Sequence, residues 1–406
     1  VPRRFPVISS QMWPNDTCPP MGCQWRHRKE LEGYGSIGTT LIKPDDTDRP
    51  RLFRPKTSPA REGGLDMTVI DSDAHVVETE RTWDYMKGDD AGFKPEVVVP
   101  KSGGDREFWM IEGRAFGKNS NVGKDTPDEA RQMSDIAARL AHMDELDIDL
   151  QVLYPTIFLR PLTRRPEVEL ALCRSYNRWL GEIWRKGDGR LRWVVIPPVM
   201  SLDRAIEELH WGKEHGACGV YLRGIEGDRR PSDPYFDPLY REASKLDFPI
   251  CIHASSGNFG MYDAMSLDSG FAQFKLTVVG AFHDLLMKGT PERYPDLRWA
   301  FIEVSSQWVP YALNDMSLRF GRLGRKWLGL DTPRENRMYV ACQTTDDIPY
   351  VLDCVGEENI VIGTDYGHND TSSELVALRK LREDGKIGAA SAERFLDQNA
   401  RALYGL

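Results

Sequence analysis

The chain has 406 residues, enough for one large α/β domain or two ordinary domains with an ample buried core. Its formal net charge of -9 comes from acidic residues spread along the chain, which excludes the basic surface of a nucleic-acid-binding protein and the basic patch of a membrane-surface protein. No apolar run approaches the length of a membrane-spanning helix or of a signal-peptide core, so we expect a cytoplasmic protein that acts on a small-molecule or peptide substrate.

The cysteines form no tight framework, and their odd number argues against a fully disulfide-paired secreted domain. They are Cys18, Cys23, Cys173, Cys218, Cys251, Cys342 and Cys354. Cys18, Cys23 and His27 match part of a zinc-binding pattern, but no second ligand pair follows nearby. Two small loop thiols are the simpler interpretation.

Residues 1–66 are rich in Pro, Arg, Gly and Trp and show neither strand alternation nor helical periodicity. This pattern predicts an N-terminal extension rather than a domain. Trp13 and Trp25 indicate that parts of it pack against the rest of the chain or a neighbouring subunit, because purely disordered segments are poor in aromatic residues. An arm that closes over an active site is one hypothesis.

A short apolar run, Met67 to Ile70, leads into alternating polar residues and predicts the first strand of a larger domain, residues 67–406. Asp71, Asp73 and His75 alternate with small residues, so on a strand they project to the same side. A divalent cation would offset the cost of burying two carboxylates and an imidazole together. The alternative is a solvated strand end or a hydrogen-bonded buried pair.

A long insertion, residues 83–128, follows this strand. Its segment EFWMIEGRAFG predicts a hairpin with Gly113 near the turn. The insertion is expected either to line a substrate lid or to form a small covering core, and its aromatic residues include Trp83, Tyr85, Phe108 and Trp109.

After the insertion, amphipathic helices alternate with short apolar strands to the end of the chain. The predicted helices cover residues 127–146, 166–185, 202–215, 236–246, 271–287, 308–328 and 348–355, with a C-terminal helix pair. The predicted strands read DLQVLYPT, RWVVIPPV, ACGVYLRG, PICIHAS, LRWAFIEVS, RMYVACQT and NIVIGTDYG. With the first strand these make eight, so we predict a (β/α)8 TIM barrel with an N-terminal extension and an insertion after strand one.

In such barrels the functional groups lie at the carboxyl ends of the strands. The strand ends select Asp73, His75, Arg223, His253, Glu303 and Asp365, with His368 just beyond. Two oxygen and two nitrogen ligands from the first, fifth and eighth strands suit Zn²⁺, Mn²⁺, Fe²⁺ or Co²⁺.

Several segments together resemble one known family. They are IDSDAHVVE, MDELDIDLQVLYPT, FDPLYREASKLDFPICIHAS, RYPDLRWAFIE, WVPYAL, NIVIGTDYGHND and NARALYGL. From about residue 67 to the C-terminus the chain resembles the amidohydrolase superfamily, in the branch that contains aminocarboxymuconate semialdehyde decarboxylase and its relatives.

The resemblance implies one bound divalent metal ion, with Zn²⁺ the first expectation, and a homodimer. The implied ligands are Asp73, His75, His253 and Asp365, with Asp365 also acting as general base and then as acid. Arg223 occupies the region where dinuclear members keep a bridging modified lysine, and an arginine cannot be modified in that way. A single ion is therefore expected.

One departure from the branch bears on the reaction. Its decarboxylases have a histidine at the end of strand six, where this chain has Glu303. We therefore expect hydrolysis of an amide-type C–N bond by a metal-activated water, with a bulky natural product or modified peptide as the substrate. The alternatives are non-oxidative decarboxylation or C–C bond cleavage of an aromatic or keto acid, and a catalytically inactive barrel that binds a ligand.

Some roles stay open at this point. Arg223 either binds a substrate carboxylate or pairs with Glu226, and His368 either contacts substrate or a ligand, or lies at the surface. Asp71 and Glu78 are expected to support the ligands rather than to bind metal.

Overall fold

The computed structural model describes residues 68–100, 106–266, 270–325, 329 and 331–406. The expected N-terminal extension, residues 1–66, lies outside the described residues. The same holds for the Cys18, Cys23 and His27 pattern and for the arm hypothesis.

The described residues contain two sheets. The strands are β1 (Ile70–His75), β2 (Glu96–Val98), β3 (Phe108–Ile111), β4 (Arg114–Gly117), β5 (Leu150–Tyr154), β6 (Leu191–Val195), β7 (Ala217–Arg223), β8 (Ile250–His253), β9 (Trp299–Ile302), β10 (Met338–Cys342) and β11 (Ile360–Ile362). β1 and β5 to β11 form one eight-stranded parallel sheet in chain order, and β2 to β4 form an antiparallel sheet. All eight predicted barrel strands are present, which confirms the (β/α)8 TIM barrel. Strands such as β9 and β11 are buried along their whole length, as parallel strands covered on both faces must be.

The barrel closes between β1 and β11. The His75 amide donates to the Tyr366 carbonyl at 2.9 Å, and the Asp365 amide donates to the Asp73 carbonyl at 2.9 Å. Gly363 lies at this seam, where an added Cβ would meet the Asp73 Cβ at 2.3 Å. Glycine is therefore required for the two strands to approach, and the seam brings Asp73 and Asp365 to the same end of the barrel.

The helices follow the strands in the expected alternation. They are α1 (Asp128–Arg131), α2 (Ile136–Glu145), α3 (Pro166–Lys186), α4 (Leu202–Glu214), α5 (Asp237–Lys245), α6 (Phe259–Ala264), α7 (Leu276–Met287), α8 (Thr290–Arg293), α9 (Trp308–Arg322), α10 (Thr332–Glu335), α11 (Ile348–Val355), α12 (Ala377–Glu383), α13 (Ala389–Glu393) and α14 (Asn399–Tyr404). π-helical turns at Phe271–Lys275 and Arg394–Gln398 precede α7 and join α13 to α14.

Helix α3 illustrates why the predicted helices form. Pro166 occupies its first turn, where the missing amide hydrogen costs nothing. Glu167 and Glu169 lie in the first turn and Arg185 and Lys186 in the last, so both ends complement the helix dipole.

The helix predicted over 127–146 is interrupted, so that prediction was wrong in its continuity. Met133 adopts φ 53 between α1 and α2. Asp135 then caps α2 by accepting hydrogen bonds from the amides of Ala137 and Ala138. The capping aspartate was the available signal, but the apolar periodicity continued through the break.

The insertion forms the predicted hairpin. β3 and β4 are joined at Glu112 and Gly113, which adopt φ 48 and φ 78, as a two-residue turn requires. The rings of Trp83 and Trp109 are buried and meet edge to face at 6.0 Å, so they form a small core beneath the sheet. At its far end the insertion returns to the barrel, where the Gly123 amide donates to the Gly367 carbonyl at 2.9 Å.

The five cysteines within the described ranges, among them Cys173 and Cys251, are free thiols. In the part of the chain that the structure describes, no helix combines the length and the apolar character needed to cross a membrane.

Candidate metal centre and active site

Two imidazoles at strand ends direct lone pairs into the mouth of the barrel. The Nδ1 atom of His75 lies 2.9 Å from the Pro155 carbonyl, and that of His253 lies 3.3 Å from the Ala254 carbonyl. Because a carbonyl only accepts, each ring in its neutral form carries the proton on Nδ1 and has a lone pair on Nε2. This is the tautomer that a metal ligand needs.

Asp73 and Glu303 bring carboxylate oxygens to these lone pairs. Asp73 Oδ1 lies 3.2 Å from His253 Nε2 and 3.4 Å from His75 Nε2. Glu303 Oε2 lies 3.3 Å from His253 Nε2 and 3.9 Å from His75 Nε2. A tetrahedral ion about 2.1 Å from each ligand separates its ligands by about 3.4 Å. The four atoms are therefore spaced as ligands around one ion.

Two further observations fit a divalent cation at this point. His75 Nε2 and Glu303 Oε2 are buried and have no hydrogen-bond partner among the described residues. The donor set of two imidazoles and two carboxylates suits Zn²⁺, Mn²⁺, Fe²⁺ or Co²⁺. The residues present therefore fit the group that the sequence predicted.

Burial and mutual repulsion raise the pKa values of two carboxyl groups of the site. The pKa of Glu303 is well above its usual range, chiefly because of burial and secondly because of the charge of Asp365. The pKa of Asp365 is also well above its usual range, chiefly because of burial and secondly because of the charge of Asp370. Burial would also raise the pKa of Asp73, but His253 and His75 beside it hold it below its ordinary value. A bound cation would relieve the repulsion among these carboxylates.

Both acidic residues at the far strand ends have left-handed backbone conformations. Glu303 follows β9 with φ 65, and Asp365 follows β11 with φ 52. Such conformations are uncommon for residues other than glycine and cluster at functional sites. They turn the two carboxylates towards the lone pairs of His75 and His253.

The structure places the four predicted ligands in two overlapping clusters. Asp73, His75 and His253 meet Glu303 in one cluster, whereas Asp365 belongs to a second cluster that shares His75 and Glu303 and includes His368. Asp365 Oδ1 lies 3.3 Å from His75 Nε2, so the prediction of Asp365 as ligand and general base stays a prediction. A strand-end position marked Glu303, but nothing in the sequence showed how closely it approaches His253.

Asp365 and His368 form a hydrogen-bonded pair. The Thr156 hydroxyl donates to the Val76 carbonyl at 2.7 Å, so its oxygen accepts from His368 Nε2 at 2.9 Å. A neutral His368 then has a bare Nδ1, which lies 2.8 Å from Asp365 Oδ1. Burial raises the pKa of Asp365, which favours its protonated carboxyl group, and lowers the pKa of His368 to about 4, which favours the neutral ring.

His368 is enclosed rather than exposed. Its ring packs on the ring of His75 with centroids 3.8 Å apart, and 2% of the residue is accessible. The surface alternative for His368 is therefore excluded.

Asp71 and Glu78 support the site without joining the ligand cluster. Asp71 accepts from the Thr364 amide and hydroxyl at 2.9 and 2.6 Å and from Gln151 at 2.9 Å. Glu78 accepts from the amides of residues 156 and 157, both at 3.0 Å. Asp71 thereby ties β1 to the chain that carries Asp365, as expected for a supporting carboxylate.

Arg223 lies outside the cluster and is fully engaged. Its Nε donates to Glu226 Oε2 at 2.9 Å, its Nη2 bonds the same oxygen, and its Nη1 donates to the Arg160 carbonyl at 3.1 Å. Of the two predicted roles, the structure has the pairing with Glu226. His283, on α7, pairs with Asp315 at 3.2 Å.

A cavity of about 510 Å³ lies at the carboxyl ends of β5 to β8, and its lining includes none of the residues of the two clusters. Tyr221 contributes to its wall and packs against His253 with ring centroids 6.1 Å apart. Arg223, Glu226 and the buried Glu169 line the same space. The barrel therefore offers room for a ligand at the end where TIM barrels place their sites.

Comparison with known proteins agrees with this architecture. An amidohydrolase from Mycobacterium avium subsp. paratuberculosis has 20% identity and a TM-score of 0.69, over 84% of this chain and 100% of that one. A 5-carboxyvanillate decarboxylase from Novosphingobium aromaticivorans, with manganese and 4-hydroxy-3-methoxy-5-nitrobenzoic acid, has 18% identity and a TM-score of 0.62, over 87% and 100%. A 2,6-dihydroxybenzoate decarboxylase from Rhizobium has 16% identity and a TM-score of 0.58, over 84% and 99%.

No curated protein matches the chain significantly. The sequence model of the amidohydrolase family, in contrast, matches residues 70–406, which include every residue of the two clusters. This confirms the resemblance found in the sequence motifs. The chain belongs to the amidohydrolase family.

Proposed function

We propose that the protein is a metal-dependent decarboxylase of an organic acid, in which Asp365 and His368 supply the proton that replaces the lost carboxyl group. The observation that carries this proposal is the 2.8 Å contact between Asp365 Oδ1 and His368 Nδ1, with the same Asp365 oxygen 3.3 Å from His75 Nε2. Structural similarity to decarboxylases, one of them with manganese and a benzoic acid, supports it.

Asp73, His75, His253 and Glu303 would hold the ion, and Asp365 is the alternative to Glu303 as fourth ligand. When bound, a divalent cation supplies Lewis-acid polarisation of the substrate and compensates the charge of the carboxylates. Zn²⁺ and Mn²⁺ both suit these ligands.

The remaining residues manage the proton. When the C–C bond to the carboxyl group breaks, its electron pair stays on the substrate carbon and CO₂ leaves. Asp365 Oδ1 then delivers its proton to that carbon, while Thr156 holds the His368 ring against the carboxyl group. Ser373, which donates to Asp365 Oδ2 at 2.6 Å, fixes the carboxyl group during the transfer.

The missing strand-six histidine no longer separates the two reactions. Hydrolysis was favoured because the chain has no strand-six histidine to transfer a proton in decarboxylation. His368, paired with Asp365 after the eighth barrel strand, supplies an imidazole in its place. Hydrolysis of an amide-type C–N bond remains the second candidate, because the same pair can take a proton from water and return it to the leaving nitrogen.

Product analysis separates the two reactions. The metal-loaded protein would be incubated with a panel of aromatic and keto acids, with CO₂ release followed, and with a panel of amides, with amine release followed. We expect CO₂ from at least one acid and no amine. Amine release without CO₂ would replace decarboxylation by hydrolysis, and turnover of both panels by metal-free protein would end both.

Two variants separate the metal ligands from the proton donor. Asp365→Asn is expected to keep the metal and to lose about 10²- to 10⁴-fold in kcat, the range for a general acid or base. Glu303→Gln is expected to lose metal affinity first. Metal loss in the Asp365 variant with retention in the Glu303 variant would instead return Asp365 to the ligand set.

A further inference from the structure

Arg160 is a buried cation that lacks a counterion. The residue is 9% accessible and follows β5 at the carboxyl end of the barrel. Among the described residues, its Nε has no hydrogen-bond partner, and its one side-chain contact is from Nη2 to Ser120 Oγ at 3.5 Å, the outer limit of a hydrogen bond. Burying an uncompensated guanidinium is costly, so a protein that keeps one normally uses it.

One carboxylate close to this charge, that of Glu78, is already bonded to backbone amides. Glu78 lies close enough for Arg160 to affect its pKa, but its two oxygens accept from the amides of residues 156 and 157. Burial outweighs these contacts and raises the pKa of Glu78 to about 7.

The position of Arg160 is adjacent to the active site. The loop that carries Arg160 begins with Thr156, whose hydroxyl contacts His368. On the other side, Ser120, which the guanidinium contacts, belongs to the insertion that covers the barrel mouth. The loop of Arg160 therefore connects the surroundings of His368 with the insertion.

Arg223 holds this loop in place. Its Nη1 donates to the Arg160 carbonyl at 3.1 Å, and Glu226 fixes the rest of its guanidinium. Arg223, for which carboxylate binding was one of two predicted roles, thus supports the backbone of Arg160. The guanidinium of Arg160 itself makes fewer hydrogen bonds than that of Arg223.

We propose that Arg160 binds an anionic group of the substrate, a carboxylate or a phosphate, on the insertion side of the metal cluster. The proposal rests on the proposed function in that it concerns the same active site, but its chemistry requires only the arginine. A planar guanidinium binds both oxyanions through paired hydrogen bonds.

The test uses the full-length protein without metal, so that an anion cannot bind to the ion instead. Binding of benzoate, phenyl phosphate and the neutral benzamide is measured by calorimetry and by the shift in Tm. Benzoate or phenyl phosphate is expected to bind and to raise Tm, and benzamide is expected to do neither. The stronger of the two anions identifies carboxylate or phosphate as the preferred group.

Arg160→Gln is expected to lower the affinity for the anion at least about 10-fold, because one charge-assisted interaction is lost. Without an anion its Tm should equal or exceed that of the wild type, because a buried unpaired charge has been removed. Arg160→Lys keeps the charge but not the paired hydrogen-bond geometry. Its affinity for the anion should therefore lie between those of the wild type and Arg160→Gln. The matched control is Arg165→Gln, an exposed cation paired with Glu112 and Glu167, which should change nothing.

Equal binding of the anions by the wild type and by both Arg160 variants, or equal binding of benzamide and benzoate, would overturn the proposal. So would the absence of binding to the wild type. Metal content is measured on the same variants: a wild type that takes up no metal contradicts the proposed function, whereas loss of anion binding with metal uptake intact concerns Arg160 alone.

Discussion

The Nε2 atom of His253 lies 3.3 Å from the Glu303 carboxylate, while the opposite ring nitrogen is directed at the Ala254 carbonyl. With the ring proton on Nδ1, two lone pairs face each other, and either a proton or a cation must lie between them. Burial, followed by the charge of Asp365, raises the pKa of Glu303 and so favours its protonated carboxyl group. A divalent ion would bind His253 and Glu303 together.

Removal of one imidazole should abolish metal binding. His253→Asn is expected to lower metal affinity more than about 100-fold, beyond the loss typical of supporting residues, because a nitrogen ligand is removed outright. His283→Asn, a partly exposed histidine paired with Asp315, is the control and should keep a full complement of metal. Elemental analysis of the purified proteins gives the result. Equal metal content in both variants would contradict the assignment.

Asp71 should affect the metal centre without touching the ion. Asp71→Asn presents an amide group where Thr364 and Gln151 both donate, and it should lower metal affinity or activity about 10- to 100-fold in a folded protein. Asp149→Asn changes a carboxylate that accepts from the Val69 amide at the opposite end of β1, and should affect stability alone. Metal titration and circular dichroism separate the two effects. Unchanged metal affinity in the Asp71 variant would show that the metal centre does not depend on the hydrogen bonds that Asp71 accepts.

The barrel seam should tolerate no side chain at Gly363. In Gly363→Ala the new Cβ meets Asp73, and we expect a loss of about 1–3 kcal/mol in the free energy of unfolding together with weaker metal binding. Gly280→Ala is the control, since Gly280 lies within α7 with nothing near its Cβ position, and it should gain about 0.5–1 kcal/mol. Urea unfolding measures both. A neutral Gly363 variant would mean that β1 and β11 separate easily.

Glu169 should make stability depend on pH. Burial raises its pKa from 4.5 to about 7, so the folded state binds the proton more tightly than the unfolded state. The contribution to stability is complete below pH 4.5 and is lost as the pH rises to 7, by at most about 3 kcal/mol. Glu169→Gln should therefore gain stability over the wild type as the pH rises from 4.5 to 8. Urea unfolding at these two pH values measures the gain.

The control for that change is Glu167→Gln in the same turn of α3. Glu167 is exposed, and its own backbone hydrogen bond and Arg165 hold its pKa below its ordinary value, so its replacement should bring no gain at high pH. An identical response from the two variants would show that burial of Glu169 is not the cause.

The sequence by itself determined the barrel and the residues at its mouth. Eight apolar runs alternating with amphipathic helices leave few other architectures, because parallel strands buried on both faces must be connected by crossover helices. The period-two spacing of Asp73 and His75 and the strand-end positions of His253 and Asp365 followed from the same pattern. The hairpin at Gly113 was equally local, since its turn depends on two adjacent residues.

Only the tertiary structure decided which of those residues meet. Strand ends identify the mouth of a barrel, but the approach of Glu303 to His253 also depends on the left-handed backbone at Glu303, and that of Asp365 to Asp73 depends on the seam at Gly363. The burial of Arg160 without a counterion among the described residues also depends on the tertiary structure, because the insertion covers this side chain. Such properties arise from packing between segments that are far apart in the chain, and no local pattern of residues carries them.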